Sequence, residues 1–379
     1  MGHTAYKHPD IIAFLTIFPE DEISSLWAAS SGPRMHPLCE LIGDMANPSP
    51  LALETIRAIR LVSQNDPAWM NHLRARLLNA ANFTDSAATL GEIRAYGTLA
   101  MAGLKPKAIN EDANPDFRIE LGGQTIIVEV HTRQMDIAAQ ARIDAWANET
   151  RAATPPPGVS VQFSPSIAPF GEPDPRKPGD TVIANMISRI AAVKEREHQF
   201  QDGLANVLWL DLRSGPGSML VDTNHALPFA SRAGRVSSGA LWSAAYGTRG
   251  MSIVEGPSHG RHVIVPMGHD GKFCGKPTKL SGIIAACNDG FVLLEHPSPA
   301  VALPLAFRNA LLMHMDFRAE RSVCAWGDGS EVVSRTVATQ AMLLHAIVTN
   351  LRQPPFVYQD SYTSPTRTSA REGYTGSES

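Results

Sequence analysis

The sequence predicts an α/β fold with helical additions at both ends of its core. Three patterns support this prediction. Apolar residues recur at helical intervals over residues 1–84, two alternating runs at 116–131 have the form of a β-hairpin, and a helical pattern precedes the apolar run 207–210. The chain has 379 residues, of which 44% are hydrophobic, so it can bury a sizeable core.

The core is predicted at residues 85–300, with two insertions and two flanking regions. The insertions are expected near residues 140–180, much of which is rich in proline, and near residues 213–262, which are rich in glycine and serine. Helical periodicity returns in the C-terminal region 301–352, and the segment 353–379 has the Ser-, Thr-, Pro- and Gly-rich composition of a disordered tail.

The individual helices follow from the spacing of apolar residues and from end signals. Three helical patterns of the N-terminal region lie around residues 11–15, 51–61 and 69–77. A fourth helix, which opens the core, is expected to begin with Asp85 or Ser86 as its N-cap and to end close to Gly103.

The dipeptide Gly122-Gly123 is a strong signal for a two-residue β-hairpin turn. In that turn Leu121 pairs with Gln124, and the same register places Asp116 opposite Glu129. Directly opposed residues of an antiparallel pair have Cβ atoms about 4.5–5.5 Å apart. The sequence therefore predicts two neighbouring carboxylates on one face of the hairpin.

Two carboxylates at this spacing repel each other, and burial increases the repulsion. Glu129 lies in the apolar run Ile-Ile-Val-Glu-Val, where an unpaired charge would be costly. A divalent cation removes both difficulties, and carboxylate oxygens are ligands that Mg²⁺ prefers. These residue types indicate a metal site at Asp116 and Glu129, and His131 is expected on the same face, within reach of a metal-bound water.

A helical Glu92, a Pro115-Asp116 step at the start of one strand and the tripeptide Glu129-Val130-His131 at the end of the next together form a pattern. This pattern resembles the motif of the PD-(D/E)xK nuclease superfamily, and the resemblance extends over about residues 85–295. It implies a restriction-endonuclease-like core, which is a mixed β-sheet flanked by helices. It also implies an enzyme, a Mg²⁺-dependent nuclease that hydrolyses phosphodiester bonds of nucleic acid, with DNA favoured and bacterial defence as an analogous setting.

The resemblance implies a role for each residue of the site. Asp116 and Glu129 would be the ligands of Mg²⁺, for which Mn²⁺ could substitute. Glu92 would act indirectly, by contacting these ligands or through a water molecule. His131 would orient or deprotonate the attacking water. A homodimer is expected if the substrate is double-stranded DNA, because each chain would supply one site for one strand.

The superfamily pattern ends in Lys, whereas this sequence has His131 at that position. Three interpretations stay open. The imidazole could do the work of the lysine, or a lysine from elsewhere could supply it, with Lys105, Lys107 and Lys194 as candidates. Alternatively, the site is catalytically degenerate, and the protein binds nucleic acid or a protein partner without cutting.

A second match to the motif consists of Pro173-Asp174 with Asp211-Leu212-Arg213. It is the weaker match, because Pro173-Asp174 lies in the proline-rich stretch and not at the start of a strand. Arg213 also stands where a lysine is expected, and an arginine is effectively never a base. This alternative would make Asp174 and Asp211 the acids of the site, in place of Asp116 and Glu129.

Composition favours a cytoplasmic protein without a membrane partner. No apolar run approaches the about 20 residues that span a bilayer, and the first residues lack the basic-then-apolar order of a secretory signal. The four cysteines are widely spaced, with no C-x-x-C pair, which fits a reducing compartment. The net charge of −4 argues against coating of nucleic acid by bulk charge, but it is compatible with a local basic cleft.

Overall fold

The computed structural model describes most of the predicted core and the N-terminal region. The described residues do not include 315–352 of the predicted helical C-terminal region, the predicted tail 353–379 or most of the proline-rich insertion. They also leave out Pro173-Asp174 and Lys194. The described residues are 8–30, 35–43, 48–109, 115–132, 182–193, 199–213, 228–230, 236–250, 252–258, 261–274 and 276–314, together with Ala141 and Ala145.

The N-terminal region is helical, as the sequence predicts. Four of its five helices have a proline in the first turn, where the missing N–H has no helical partner to lose. Side chains cap the starts of four of these five helices; for example, Ser49 accepts a hydrogen bond from the N–H of Ala52. The five helices are α1 (Pro9–Ile17), α2 (Glu20–Ala29), α3 (Pro37–Leu41), α4 (Pro50–Asn65) and α5 (Pro67–Leu77).

Helix α6 (Phe83–Met101) opens the predicted core. The prediction that Asp85 or Ser86 caps this helix is wrong, because Asn82 is the N-cap and its side chain accepts a hydrogen bond from the N–H of Asp85. Asp85 therefore lies in the first turn, where a carboxylate is favoured by the helix dipole. The C-terminal end is close to the predicted place, since Gly103 follows with a φ of 77°.

The hairpin has the predicted register. Strand β2 (Phe117–Leu121) pairs antiparallel with β3 (Gln124–Thr132), with Leu121 opposite Gln124 and Phe117 opposite Val128. Gly122 and Gly123 both have positive φ values, of 58° and 80°, as a type I′ turn requires. The next position of the same register places Asp116 opposite Glu129.

The hairpin belongs to a six-stranded mixed sheet with the order β1-β2-β3-β4-β9-β10. Strand β4 pairs parallel with both β3 and β9, and the other pairs in this sheet are antiparallel. The architecture is therefore α/β, with a mixed sheet flanked by helices. The remaining elements of this part of the fold are β1 (Lys107–Ala108), α7 (Val182–Ala191), β4 (Ala205–Asp211), β9 (Gly282–Cys287), β10 (Gly290–Glu295) and α9 (Leu305–His314).

The Gly- and Ser-rich insertion contains regular elements, of which the sequence predicts only the last strand, from the strand-like run His262–Pro266. Two small antiparallel hairpins and one short helix lie between β4 and β9. They are β5 (Pro228–Ala230), β6 (Val236–Ser238), α8 (Ala240–Tyr246), β7 (Ser252–Ser258) and β8 (Arg261–Pro266). The domain boundaries at residues 84 and 300 stay predictions.

The sheet separates two hydrophobic cores. Helices α1 to α6 and α9 pack on one face, where Val128 and Trp209 are buried, and helices α7 and α8 pack on the other face, where Leu208 and Leu210 are buried. Alternation along each strand decides which side chains reach which core. Asp116, Glu129 and His131 therefore share the face on which α7 packs, next to the exposed part of the hairpin.

Candidate functional site

The predicted site lies where helix α6 passes the end of strand β3. A Cβ atom added to Gly91 would lie 1.8 Å from Oγ1 of Thr132, so only glycine permits this close approach. The Thr132 hydroxyl donates a hydrogen bond to the carbonyl of Ala88 at 3.3 Å, which ties the strand end to the helix. This contact brings Glu92, the residue after Gly91, next to the hairpin.

Asp116 has a strongly perturbed electrostatic environment. Burial and the negative charges of Glu92 and Glu129 raise the pKa of its carboxyl well above the usual range. The N–H of Val130 donates a hydrogen bond to its Oδ2 at 2.7 Å and partly offsets this effect. The three carboxylates are thus close enough to interact electrostatically, which is the arrangement that a bound cation would relieve.

Glu129 is only 6% exposed and is held by two neighbours. Nε2 of Gln199 donates a hydrogen bond to its Oε1, and Nε2 of His131 lies 3.6 Å from the same oxygen. Within the described part of the chain, Oε1 of Gln199 is buried and has no hydrogen-bond partner. An oxygen without a partner beside a buried carboxylate is a suitable additional ligand for a hard cation or its water.

Glu92 is bound by an arginine from the N-terminal region. Nη1 and Nη2 of Arg76 donate to its two oxygens at 2.7 and 2.9 Å, and the same guanidinium donates to Oδ1 of Asp85. Paired hydrogen bonds of this kind are among the strongest that a carboxylate forms in proteins. Glu92 is therefore close to the two other acids but directed toward a cation of the protein.

A second ionic cluster lies beside the site, on the opposite face of the sheet. Asp211 is fully buried, and its carboxylate accepts hydrogen bonds from Arg94 at 2.9 Å and from Arg213 at 3.1 Å. Arg213 also donates to Glu54 at 2.6 Å. Despite burial, the two arginines lower the pKa of Asp211 to about 2. Asp211 and Arg213, which belong to the second motif match, therefore form a salt-bridge cluster that joins α4, α6 and β4.

The donor set fits a divalent cation in chemistry, because two carboxylates lie beside a carboxamide oxygen that has no hydrogen-bond partner in the described part of the chain. Within the described ranges, no three His, Cys, Asp or Glu side chains are arranged to hold one ion together. One of the three neighbouring carboxylates, Glu92, is bound by Arg76. A cation here would be held by Asp116 and Glu129, with Oε1 of Gln199 as a candidate for a further ligand.

The structure places Glu92, Asp116, Glu129 and His131 in one neighbourhood. Sequence reasoning missed the parts played by Arg76 and Gln199, because neither lies in the motif and both reach the site through the fold. The only sequence signals were weak ones. Arg76 lies in a predicted apolar helix, 16 residues before its partner Glu92. Gln199 lies between a predicted helix and a buried strand.

Comparison with known proteins identifies no relative. No family model, no curated protein and no solved structure matches the chain. Among the helices of the described residues, none combines the length and apolar character needed to cross a membrane. A functional proposal therefore rests on the fold, on the contacts of the site and on the motif resemblance of the sequence.

Removal of the Asp116 charge should stabilise the metal-free protein. The pKa of the Asp116 carboxyl is raised in the folded state. The wild type therefore loses stability as the pH rises from the ordinary aspartate pKa of about 3.9 through the folded-state pKa of Asp116. Asp116→Asn cannot lose a proton and keeps an oxygen that can accept from Val130. We expect the variant to have the higher free energy of unfolding at pH 7, with the difference shrinking toward about pH 4. Urea denaturation in EDTA at both pH values measures this, and a variant less stable than wild type at pH 7 contradicts it.

Proposed function

We propose that this protein is a Mg²⁺-dependent nuclease with a restriction-endonuclease-like core. The observation that carries the proposal is the pair of interacting carboxylates, Asp116 and Glu129, beside an oxygen of Gln199 that has no hydrogen-bond partner among the described residues. Burial among like charges is unfavourable for these acids unless a cation joins them. The order of helix, hairpin, helix and parallel strand around the pair agrees with what the motif resemblance implies.

The chain's own residues have distinct tasks in this proposal. Mg²⁺, if held by Asp116 and Glu129, would polarise the scissile phosphate as a Lewis acid and would lower the pKa of its bound water. Asp116 and Glu129 hold the ion, and the N–H of Val130 fixes the orientation of the Asp116 carboxylate. The side chain of His131 is 31% exposed and its Nε2 lies 3.6 Å from Oε1 of Glu129, so the imidazole would orient the attacking water or accept its proton beside that carboxylate.

Exposed cations beside the acid pair support a polyanionic substrate. Lys107 pairs with Arg118 across β1 and β2, and both side chains are exposed. Arg118 lies two positions from Asp116 on the same face, at about 7 Å along the strand. Cations in such a place attract the phosphates of a nucleic acid even when the whole chain is acidic. Nucleic acid is therefore the proposed substrate, with duplex DNA favoured.

A second candidate function is a catalytically degenerate protein of the same fold, which binds nucleic acid or a protein without cutting. Two observations favour it. His131 stands in place of the lysine, and the third carboxylate, Glu92, is bound by Arg76 and not left open to a ligand. This candidate needs no catalysed step, and it makes the basic pair Lys107 and Arg118 a binding surface only.

A series of variants at His131 separates the two candidates. His131→Ala should lower Mg²⁺-dependent cleavage by about 10²–10⁴-fold if the imidazole works on the attacking water. His131→Lys should keep or raise activity, because it restores the superfamily pattern. The measurement is cleavage of labelled duplex DNA, with single-stranded DNA and RNA in parallel. If His131→Ala matches wild type, another group does the work; if only His131→Lys cuts, the natural protein is degenerate and the second candidate is correct.

A further inference from the structure

Three exposed cations lie together at the edge of the six-stranded sheet, beside the proposed site. Lys107 begins β1, Lys105 comes two residues before it, and Arg118 lies on β2. In the described part of the chain, none of their side chains takes part in a hydrogen bond or an ion pair. By contrast, Arg57 and Arg74 each pair with a carboxylate.

Lys107 and Arg118 lie directly opposite each other across β1 and β2. Like charges in directly opposed positions destabilise an antiparallel pair. A lysine on an outermost strand such as β1 guards the sheet edge against pairing with another chain, but Arg118 lies on an inner strand, where no guard is needed. A ligand with negative charge accounts for both cations at once.

The backbone of Lys105 is strained. Its φ of 48° makes Lys105 the only non-glycine residue of the described ranges with a positive φ. It also precedes Pro106, which favours an extended conformation for the residue before it. Backbone strain of this kind clusters at ligand-binding and catalytic positions. A glycine would adopt this φ without strain, so folding alone does not explain a lysine here.

The three cations border the acidic pair without neutralising it. The cation that lowers the pKa of Asp116 is Arg76. Arg118 lies two positions beyond Asp116 on the same face, at about 7 Å along the strand. The N–H of Ile109, directly after β1, donates a hydrogen bond to the carbonyl of Asp116 at 3.0 Å, so β1 runs beside the site. The positive charges are therefore available to a ligand that also reaches the acids.

We propose that Lys105, Lys107 and Arg118 form a subsite for a backbone phosphate of the nucleic acid, next to the phosphate that is cleaved. This inference rests on the proposed function for its substrate and adds the residues that hold the strand. Two residues along a strand span about 7 Å, which is comparable to the separation of neighbouring phosphates in one nucleic-acid strand. Because contacts to phosphates fix position and carry no sequence information, the subsite aligns the strand without selecting a base sequence.

Salt-dependent binding of DNA to the full chain tests the subsite. Affinity for a fluorescently labelled duplex is measured by anisotropy at several NaCl concentrations, with Ca²⁺ in place of Mg²⁺ and with gels that confirm intact DNA. Lys107→Gln and Arg118→Gln should each weaken binding and make the slope of log K against log [NaCl] shallower by about 0.9. Lys276→Gln, at an exposed lysine between β8 and β9, is the control and should keep the wild-type slope.

Lys105→Gly separates the charge of Lys105 from its strain. Because glycine adopts a positive φ readily, we expect this variant to resist urea better than the wild type. It should nevertheless bind the duplex more weakly, with a slope shallower by about 0.9. A merely structural lysine would not give this combination, and unchanged binding overturns the assignment of Lys105 to the subsite.

The remaining outcomes distinguish the subsite from the nuclease. A wild-type slope in Lys107→Gln or in Arg118→Gln, with folding confirmed by circular dichroism, overturns the subsite and leaves the nuclease proposal intact. Weaker binding in both variants, together with no cleavage by the wild type in Mg²⁺, supports the subsite and contradicts the nuclease. No binding of duplex DNA, single-stranded DNA or RNA by the wild type overturns the subsite and the proposed substrate together.

Discussion

Asp116→Asn and Glu129→Gln should each abolish metal-dependent cleavage of nucleic acid while leaving the fold intact. Each change keeps the shape of the side chain and removes one of the two charges proposed to hold the cation. A metal ion contributes several kcal/mol of charge stabilisation in the transition state, so we expect losses of about 10²–10⁴-fold or more. Initial rates of duplex cleavage in Mg²⁺ and in Mn²⁺ give the measurement.

The matched control for these variants is Glu120→Gln. Glu120 lies on β2, on the face that Asp116 shares from the position just before the strand, but Glu120 is exposed and accepts a hydrogen bond from Thr125. It should keep wild-type activity, because its charge is outside the proposed site. Full activity in Asp116→Asn or in Glu129→Gln would show that these acids do not hold a catalytic metal.

Asp211→Ala should cause the largest loss of stability among single substitutions near the site. Asp211 is fully buried between Arg94 and Arg213, which are 3% and 4% exposed. Removing the carboxylate leaves two buried guanidinium groups without their shared partner, and breaking a buried ion pair in this way costs about 3–5 kcal/mol. Urea denaturation at pH 7, followed by circular dichroism, measures the change in the free energy of unfolding.

Asp202→Asn is the control for that experiment, because it breaks an ion pair at the surface. Asp202 is 84% exposed in its side chain and pairs with Lys279 at 3.0 Å. Exposed pairs contribute about 0–1 kcal/mol, so this variant should be close to wild type. Equal stability of Asp211→Ala and Asp202→Asn would contradict the structural role of the Arg94–Asp211–Arg213 cluster.

The cluster also has a consequence for the site. Arg94 lies two residues after Glu92 on α6, and Asp211 lies opposite Thr132 on the parallel strand. The Arg94–Asp211 pair thus fixes the helix that carries Glu92 against β4, which pairs with the strand that carries Glu129. The pKa of Asp211, lowered to about 2, means that this stabilisation is present above the ordinary aspartate pKa and is lost only as the pH falls through about 2.

The hairpin was the part of the fold that sequence reasoning could predict in detail. Its register depends on a two-residue turn and on alternation over a few neighbouring residues, both of which are local. Gly122 and Gly123 supply the positive φ values, and burial of Phe117 and Ile119 selects the face. For the same reason, the opposed positions of Asp116 and Glu129 follow from the sequence.

Contacts between distant segments could not be predicted in this way. Arg76 and Gln199 reach the acids from an N-terminal helix and from beyond α7, and no local pattern specifies either contact. The Arg94–Asp211 pair joins residues 117 positions apart. Even the start of α6 was placed late, because Asn82 has a suitable capping side chain three residues before Asp85. These contacts arise from packing on the sheet, which composition and periodicity do not describe.

Cleavage of duplex DNA by the purified full-length wild type, with Mg²⁺ or Mn²⁺ and with EDTA, tests the central claim most directly. Asp116→Asn, purified in the same way, serves as the control for a contaminating nuclease. The account predicts cleavage that requires the metal, stops in EDTA and is lost in Asp116→Asn. Metal-independent cleavage, equal cleavage by Asp116→Asn, or no cleavage of duplex DNA, single-stranded DNA and RNA with either metal would contradict it.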